Sequence, residues 1–235
     1  MPTDANSSRG HLSELTGDAR VDRWREHRAT VRTELVEATL RAIDEYGPDL
    51  SIEDIVKSAG IPRPKLYRFF QDKDVLFASA ALRVQEMAIE RVVSHFDVTG
   101  TVLDLVRSAL TAYIDLVDER PNIFRFLAGA HLIDCRSAQS LREGGRRLTD
   151  AAVEVAGSVL RSRGGDDSKL EYAVDAVLGA VAYGVLRWLN DLAISKSALS
   201  DEMTVVVWGA LSATANARGV DLRPDERVDL SDTAD

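Results

Sequence analysis

Between Ser51 and Leu76 the sequence SIEDIVKSAGIPRPKLYRFFQDKDVL packs two short helical patterns around a Gly-containing turn, and this constrains the fold more than any other stretch. Ser51 precedes Glu53 and Asp54, an N-cap followed by acids in the first helical turn, where the helix dipole favours them. Ile52, Ile55 and Val56 supply an inner face before Ala59-Gly60 ends the helix. Pro62 or Arg63 opens the next helix, and Pro64 is tolerated because first-turn amides have no intrahelical partner. Leu66, Phe69 and Phe70 then form its buried side, leaving Arg63, Lys65, Tyr67 and Arg68 outward. A short basic helix behind a tight turn is the arrangement by which a helix-turn-helix presents side chains to the DNA major groove.

The charge distribution points the same way. The chain of 235 residues has a formal net charge of -9. Yet Lys57, Arg63, Lys65, Arg68 and Lys73 face Asp72 alone between positions 57 and 73. From 20 to 33, five arginines (20, 23, 25, 28 and 32) oppose Asp22 and Glu26. A basic N-terminal face on an acidic body suggests a nucleic-acid reader joined to a domain with a second task.

Along the rest of the chain, three- and four-residue apolar spacing recurs and period-two alternation does not, which predicts an all-α fold. Residues 1–20 are polar and read as a disordered arm. A helix follows from near Trp24 to Tyr46, stopped by Gly47-Pro48. Further helices are expected over about 72–96, 101–118, 121–132, 137–163, 168–195 and 201–218, and residues 221–235 read as a loose acidic tail. The expected organisation is a helix-turn-helix domain over 21–72 and a larger helical domain over 73–220. No stretch reads as a membrane span, the N-terminus lacks the apolar middle of a secretory signal, and one cysteine excludes an intrachain disulfide. These features predict a cytoplasmic location.

The residues Leu35-Val36, Ala38, Ala42-Ile43, Gly47, Ser51, Ile55-Val56, Ala59-Gly60-Ile61-Pro62, Leu66-Tyr67-Arg68-Phe69-Phe70, Lys73 and Leu76 resemble, in order and spacing, the N-terminal pattern of the TetR family of bacterial transcriptional regulators. Two positions depart from that pattern: Pro62 stands where the family usually has Ser, and Phe69 where it usually has His. The resemblance implies an N-terminal three-helix DNA-binding domain and a helical ligand-binding and dimerisation domain. It implies phosphate contacts for Ser51, Tyr67 and Lys73. Arg63, Lys65 and Arg68 are then base-reading candidates, since Arg and Lys can bind guanine O6 and N7. Arg25, Arg28 and Arg32 are candidates for backbone or minor-groove contacts.

The implied partners are double-stranded operator DNA, a second copy joined through the last two helices, and a small hydrophobic effector. Tyr113, Phe124, Phe126, Leu127, Tyr183, Leu186 and Trp188 are the pocket candidates, although aromatic residues at this spacing are more often plain core. His131, Asp134 and Cys135 form the one arrangement resembling a metal or redox site. Without a second ligand cluster they read as a structural pair, and neither a metal nor a cofactor is expected. No catalytic motif appears, so an enzyme is not expected. The leading reading is a homodimeric, ligand-responsive repressor. The alternative is a small-molecule-binding or protein-interaction module of the same fold without operator binding.

Overall fold

The computed structural model describes residues 12–95, 100–129 and 135–227, and side chains within 21–95, 100–128 and 146–227. The regular elements among them are helices: α1 (Leu12–Tyr46), α2 (Ile52–Ala59), α3 (Arg63–Tyr67), α4 (Lys73–Ser94), α5 (Val102–Glu119), α6 (Pro121–Gly129), α7 (Cys135–Arg161), α8 (Leu170–Asp191) and α9 (Lys196–Asn216). The all-α expectation holds.

The start of α1 differs from expectation. It begins at Leu12 rather than near Trp24, so the second half of the stretch read as a disordered arm is helical. Residues 12–23 contain no proline, and extending an existing helix avoids the nucleation cost that an isolated segment would face. α1 ends as its sequence indicates: Gly47 adopts φ +94°, and its amide donates to the Ile43 carbonyl at 2.9 Å.

Three clusters make the core. In the first, Leu35, Leu40 and Ile43 of α1 meet Ile55 of α2, Leu66 of α3, Leu76 and Phe77 of α4, and Ile123 and Phe126 of α6. The packing therefore runs across the boundary drawn at 72/73. In the second, Leu110, Ile114 and Val117 of α5 pack against Val181, Val185, Trp188 and Leu189 of α8 and Leu199 and Val207 of α9. The third joins Leu160, Leu170, Val174, Ala215 and Val220 at the far end.

Two further boundaries are corrected. α9 starts at Lys196 instead of 201, because Ser195 caps it by accepting from the Ala198 amide at 3.2 Å. Residues 221–227 are not loose. The Glu226 carbonyl accepts from the Val102 amide at 2.9 Å, the Glu226 carboxylate pairs with Arg163 at 3.0 Å, and Val220 is buried. Positions 228–235 lie outside the described residues. Finally, α8 is long and apolar enough to cross a membrane by length and composition alone, which its sequence reading missed. One face of it packs in the second core, the behaviour of a helix in a helical bundle.

Candidate nucleic-acid interface

The surface formed by α2 and α3 is fixed from beneath. Ser51 caps α2 in a reciprocal box with Asp54: the hydroxyl accepts from the Asp54 amide at 3.3 Å, and the Asp54 carboxylate accepts from the Ser51 amide at 2.8 Å. The Ser51 hydroxyl, donating to Asp54 Oδ2 at 2.7 Å, and then the Ser51 amide hold the Asp54 carboxyl below the ordinary carboxylate range. Gly60 takes φ +63°, the left-handed conformation that lets its amide turn back to the Lys57 carbonyl at 3.2 Å. The chain then enters α3 at Pro62, which provides no side-chain cap.

With Ile55, Leu66 and Phe70 essentially inaccessible, the rest of α3 faces outward. Arg63, Lys65, Tyr67 and Arg68 are exposed. Arg63 donates to Glu53 Oε1 at 2.6 Å and lies over the Tyr67 ring at 5.7 Å; bonding to Tyr67, then the nearby Glu53 charge, raises its pKa. Among the described residues, the Lys65 and Arg68 side chains have no ion-pair or hydrogen-bond partner. α3 thus offers two uncommitted cations beside one that is already paired.

A model of the TetR-family bacterial regulatory proteins matches residues 35–80, the stretch that builds this surface. Residues 35–80 thus form a TetR-like DNA-binding segment. It is 25% identical over 203 residues to an uncharacterised HTH-type transcriptional regulator of Mycobacterium tuberculosis, covering 86% of each chain. A TetR-family regulator from Streptomyces coelicolor has the same fold, with a TM-score of 0.62 at 23% identity over 79% of this chain and 84% of that one. The regulator FadR of Bacillus subtilis, solved with stearoyl-CoA, gives 0.63 at 17% identity over 74% and 96%. The chain is accordingly a DNA-binding transcriptional regulator rather than an enzyme.

Three of the cations that the TetR resemblance assigned to DNA are engaged within the fold. Arg28 donates to the Arg68 carbonyl at 3.2 Å and stacks between Trp24 and Phe69. Arg32 donates to the Phe69 carbonyl and to Ser79 Oγ, both at 3.0 Å, and lies 4.4 Å over the Phe70 ring. Lys73 donates to the Leu50 carbonyl at 3.3 Å, over the Phe77 ring at 4.7 Å. The physical reason is common to all three: α3 and the loop before α2 end in backbone carbonyls that need donors, and these cations lie within reach.

The seven pocket candidates do not form one lining. Phe126 is core, edge-on to Phe77 with centroids 4.8 Å apart, and Leu127 packs against the same cluster. Trp188 is buried in the second core and donates from Nε1 to the Ile194 carbonyl at 2.9 Å. Leu186 is half-buried. Tyr183 is 70% exposed on α8. Tyr113 and Phe124 do come together, edge-on at 5.9 Å, and burial pushes the Tyr113 hydroxyl up to about 12. His131 and Asp134 lie outside the described residues, as does the side chain of Cys135.

Sequence reasoning missed the joint between the DNA-binding helices and the rest. Arg120 donates through Nε and Nη2 to one oxygen of Asp44 at the end of α1, and Asn122 donates to the Asp44 carbonyl at 3.0 Å. In the sequence, Glu119-Arg120-Pro121 marks only the gap between the helices expected over 101–118 and 121–132.

Proposed function

We propose that this regulator is a homodimeric repressor that grips operator DNA with α2, α3 and the start of α4, and lets go when a small hydrophobic effector enters the helices from α4 onward. The observation that carries the DNA half is the outward face of α3, where Lys65 and Arg68 are presented without internal partners while Leu66 is buried. In this reading Lys65, Arg68 and Arg63 address base edges, with Arg63 exchanging Glu53 for DNA. Tyr67 and the exposed Ser51 at the start of α2 lie against phosphates. The functional division follows residues 21–72 and 73–220.

Support for the dimer comes from α8 and α9. Tyr172 and Tyr183 are 73% and 70% exposed, with exposed Ala176, Gly179 and Ala180 between them on one stripe of α8. On α9, Val205 and Val206 are 70% and 48% exposed, followed by exposed Gly209. Small residues flanked by large apolar ones suit close helix approach, and burial of this face against a second copy would give two recognition helices for two half-sites.

Effector recognition centres on Tyr113 and Phe124, at the meeting of the first and second cores. An acyl chain fits such surroundings, a class consistent with the stearoyl-CoA bound to the FadR neighbour. Release follows if the effector favours a state with different recognition-helix spacing. The test is a gel shift on the DNA upstream of the protein's own gene, at moderate salt, with and without long-chain acyl-CoA, beside sedimentation of the free protein. A sequence-specific complex of a dimer that acyl-CoA dissolves is expected. Binding with no sequence preference would refute the operator reading, and a monomer would refute the dimer.

A further inference from the structure

Between Ser51 and Lys73 the chain carries three acids, Glu53, Asp54 and Asp72, and two of them are committed to helix ends. Asp54 accepts from the Ser51 amide at 2.8 Å, and Asp72 from the Val75 amide at 2.8 Å. Because Asp54 already closes the capping box, α2 does not need Glu53 as a cap. Glu53 is exposed, one position after the buried Ile52, and its Oε1 accepts from Arg63 Nη1 at 2.6 Å across the turn between α2 and α3. Arg63 is the first residue of α3, and the N-terminal end of a recognition helix is the end that reaches base edges. The Glu53 carboxylate therefore sits on the reading surface itself.

A carboxylate at this place opposes binding to DNA of any sequence, because phosphates flank the groove and Arg63 must leave it to reach a base. The pair separates readily: the Arg63 and Glu53 side chains are 55% and 65% exposed, and ion pairs this exposed contribute little. Once Arg63 has turned away, Glu53 needs a donor, and few base edges offer one. Guanine N7 and O6 and thymine O4 are acceptors, which repel a carboxylate. Adenine presents its N6 amino group beside the N7 acceptor, whereas cytosine presents its N4 amino group alone.

We infer that Glu53 determines operator specificity: when Arg63 turns to a guanine, the Glu53 carboxylate accepts from cytosine N4 and rejects guanine or thymine in that place. This rests on the operator-binding reading above, in which Arg63 exchanges Glu53 for DNA. Because the two side chains start in contact, the cytosine and the guanine belong to one base pair or to adjoining pairs. Tight binding then requires that short pattern. On any other sequence Glu53 remains an unpaired negative charge among phosphates.

The test is enrichment of duplexes from a random-sequence pool by the full-length protein and by its Glu53→Ala, Glu53→Gln and Arg63→Ala variants. The unaltered protein should enrich a cytosine paired with or next to a guanine in each half-site. Replacing that cytosine by a pyrimidinone lacking the amino group, which leaves the guanine in place, should weaken its binding about tenfold. Glu53→Ala should bind the two duplexes alike, lose the cytosine preference while keeping the guanine, and bind unrelated duplexes more tightly. Glu53→Gln should move the preference toward adenine, whose N6 and N7 suit an amide, and Arg63→Ala should lose the guanine instead. Melting of both Glu53 variants should be unaltered, since the Ser51–Asp54 cap is intact. If both Glu53 variants enrich the same cytosine as the unaltered protein, Glu53 reads nothing and operator binding stands without it. Loss of the guanine preference in Glu53→Ala would show that Glu53 only positions Arg63, and would equally overturn the inference. Failure of the unaltered protein to enrich any sequence would remove the operator reading and this inference together.

Discussion

Cutting the joint between Asp44 and Arg120 tests how the two halves of the molecule are held. The Asp44 and Arg120 side chains are 35% and 23% exposed, and two guanidinium N–H groups converge on one carboxylate oxygen. Hydrogen bonds between charged groups contribute about 1.5–3 kcal/mol, and partial exposure lowers that to about 1–2 kcal/mol here. Asp44→Ala leaves Arg120 facing the Met87 sulfur at 3.7 Å without a carboxylate, so the single change should cost about 1.5 kcal/mol. At this chain length that corresponds to a Tm lower by about 3–6 °C. The assay is urea unfolding of the parent, Asp44→Ala, Arg120→Met and the double variant, at one fixed protein concentration because the stability of the proposed dimer would depend on it. A coupling of about 1 kcal/mol or more is expected. Additivity within about 0.3–0.5 kcal/mol would show that the pair does not hold α1 to α6, and the description of this joint would fail.

Lys65→Ala should relax base preference with no change in Tm, whereas Lys73→Ala should lower Tm and weaken binding to every sequence, since Lys73 ties α4 to the Leu50 carbonyl; equal effects in gel shift and melting would contradict this division. Tyr113 should ionise in a late phase of an absorbance titration, near pH 12. Because its folded pKa is raised above that of the unfolded chain, its contribution is whole below about pH 10 and is lost as pH rises toward 12, and Tyr113→Phe should remove this late phase. Gly165→Ala should destabilise by about 1–3 kcal/mol, because the new Cβ would meet buried Val220 at 2.5 Å and the Leu160 carbonyl at 3.3 Å; Val220→Ala should recover part of the loss in the same unfolding assay, and an unchanged midpoint for Gly165→Ala would refute the contact.

The DNA-binding half was legible because its signals are local. Ser51 with Asp54, Gly47 and Gly60 each specify a cap from neighbours a few positions away, and the structure places each cap as read. The outward set on α3 follows from Leu66 and Phe70 being inward. What could not be read depends on residues far apart in the chain. Arg32 meets Phe69 and Ser79, Arg120 meets Asp44, and Glu226 meets Arg163; no spacing rule announces any of these. Tyr183 shows the same limit from the other side. Helical periodicity marks it as one of several aromatics on α8, but only the packing of α8 against α5 and α9 decides that it points outward.

The arrangement explains why so short a recognition helix can hold its place. α3 has five helical residues and no side-chain cap at Pro62, far below the length at which a helix is stable by itself. Its buried Leu66 fixes one side, and the exposed carbonyls after it, at Arg68 and Phe69, receive Arg28 and Arg32 from α1. Cations at a helix C-terminus also oppose the negative end of its dipole. Positive charge in this acidic protein therefore divides by task. Arg28, Arg32 and Lys73 shape the reading surface from within, and a loss of any of them would lower DNA affinity indirectly. Lys65 and Arg68 have no such duty, so their loss should alter what is read without altering the helix that reads it. Mutagenesis scored by affinity alone would group all five as DNA contacts; scoring Tm beside base preference separates them.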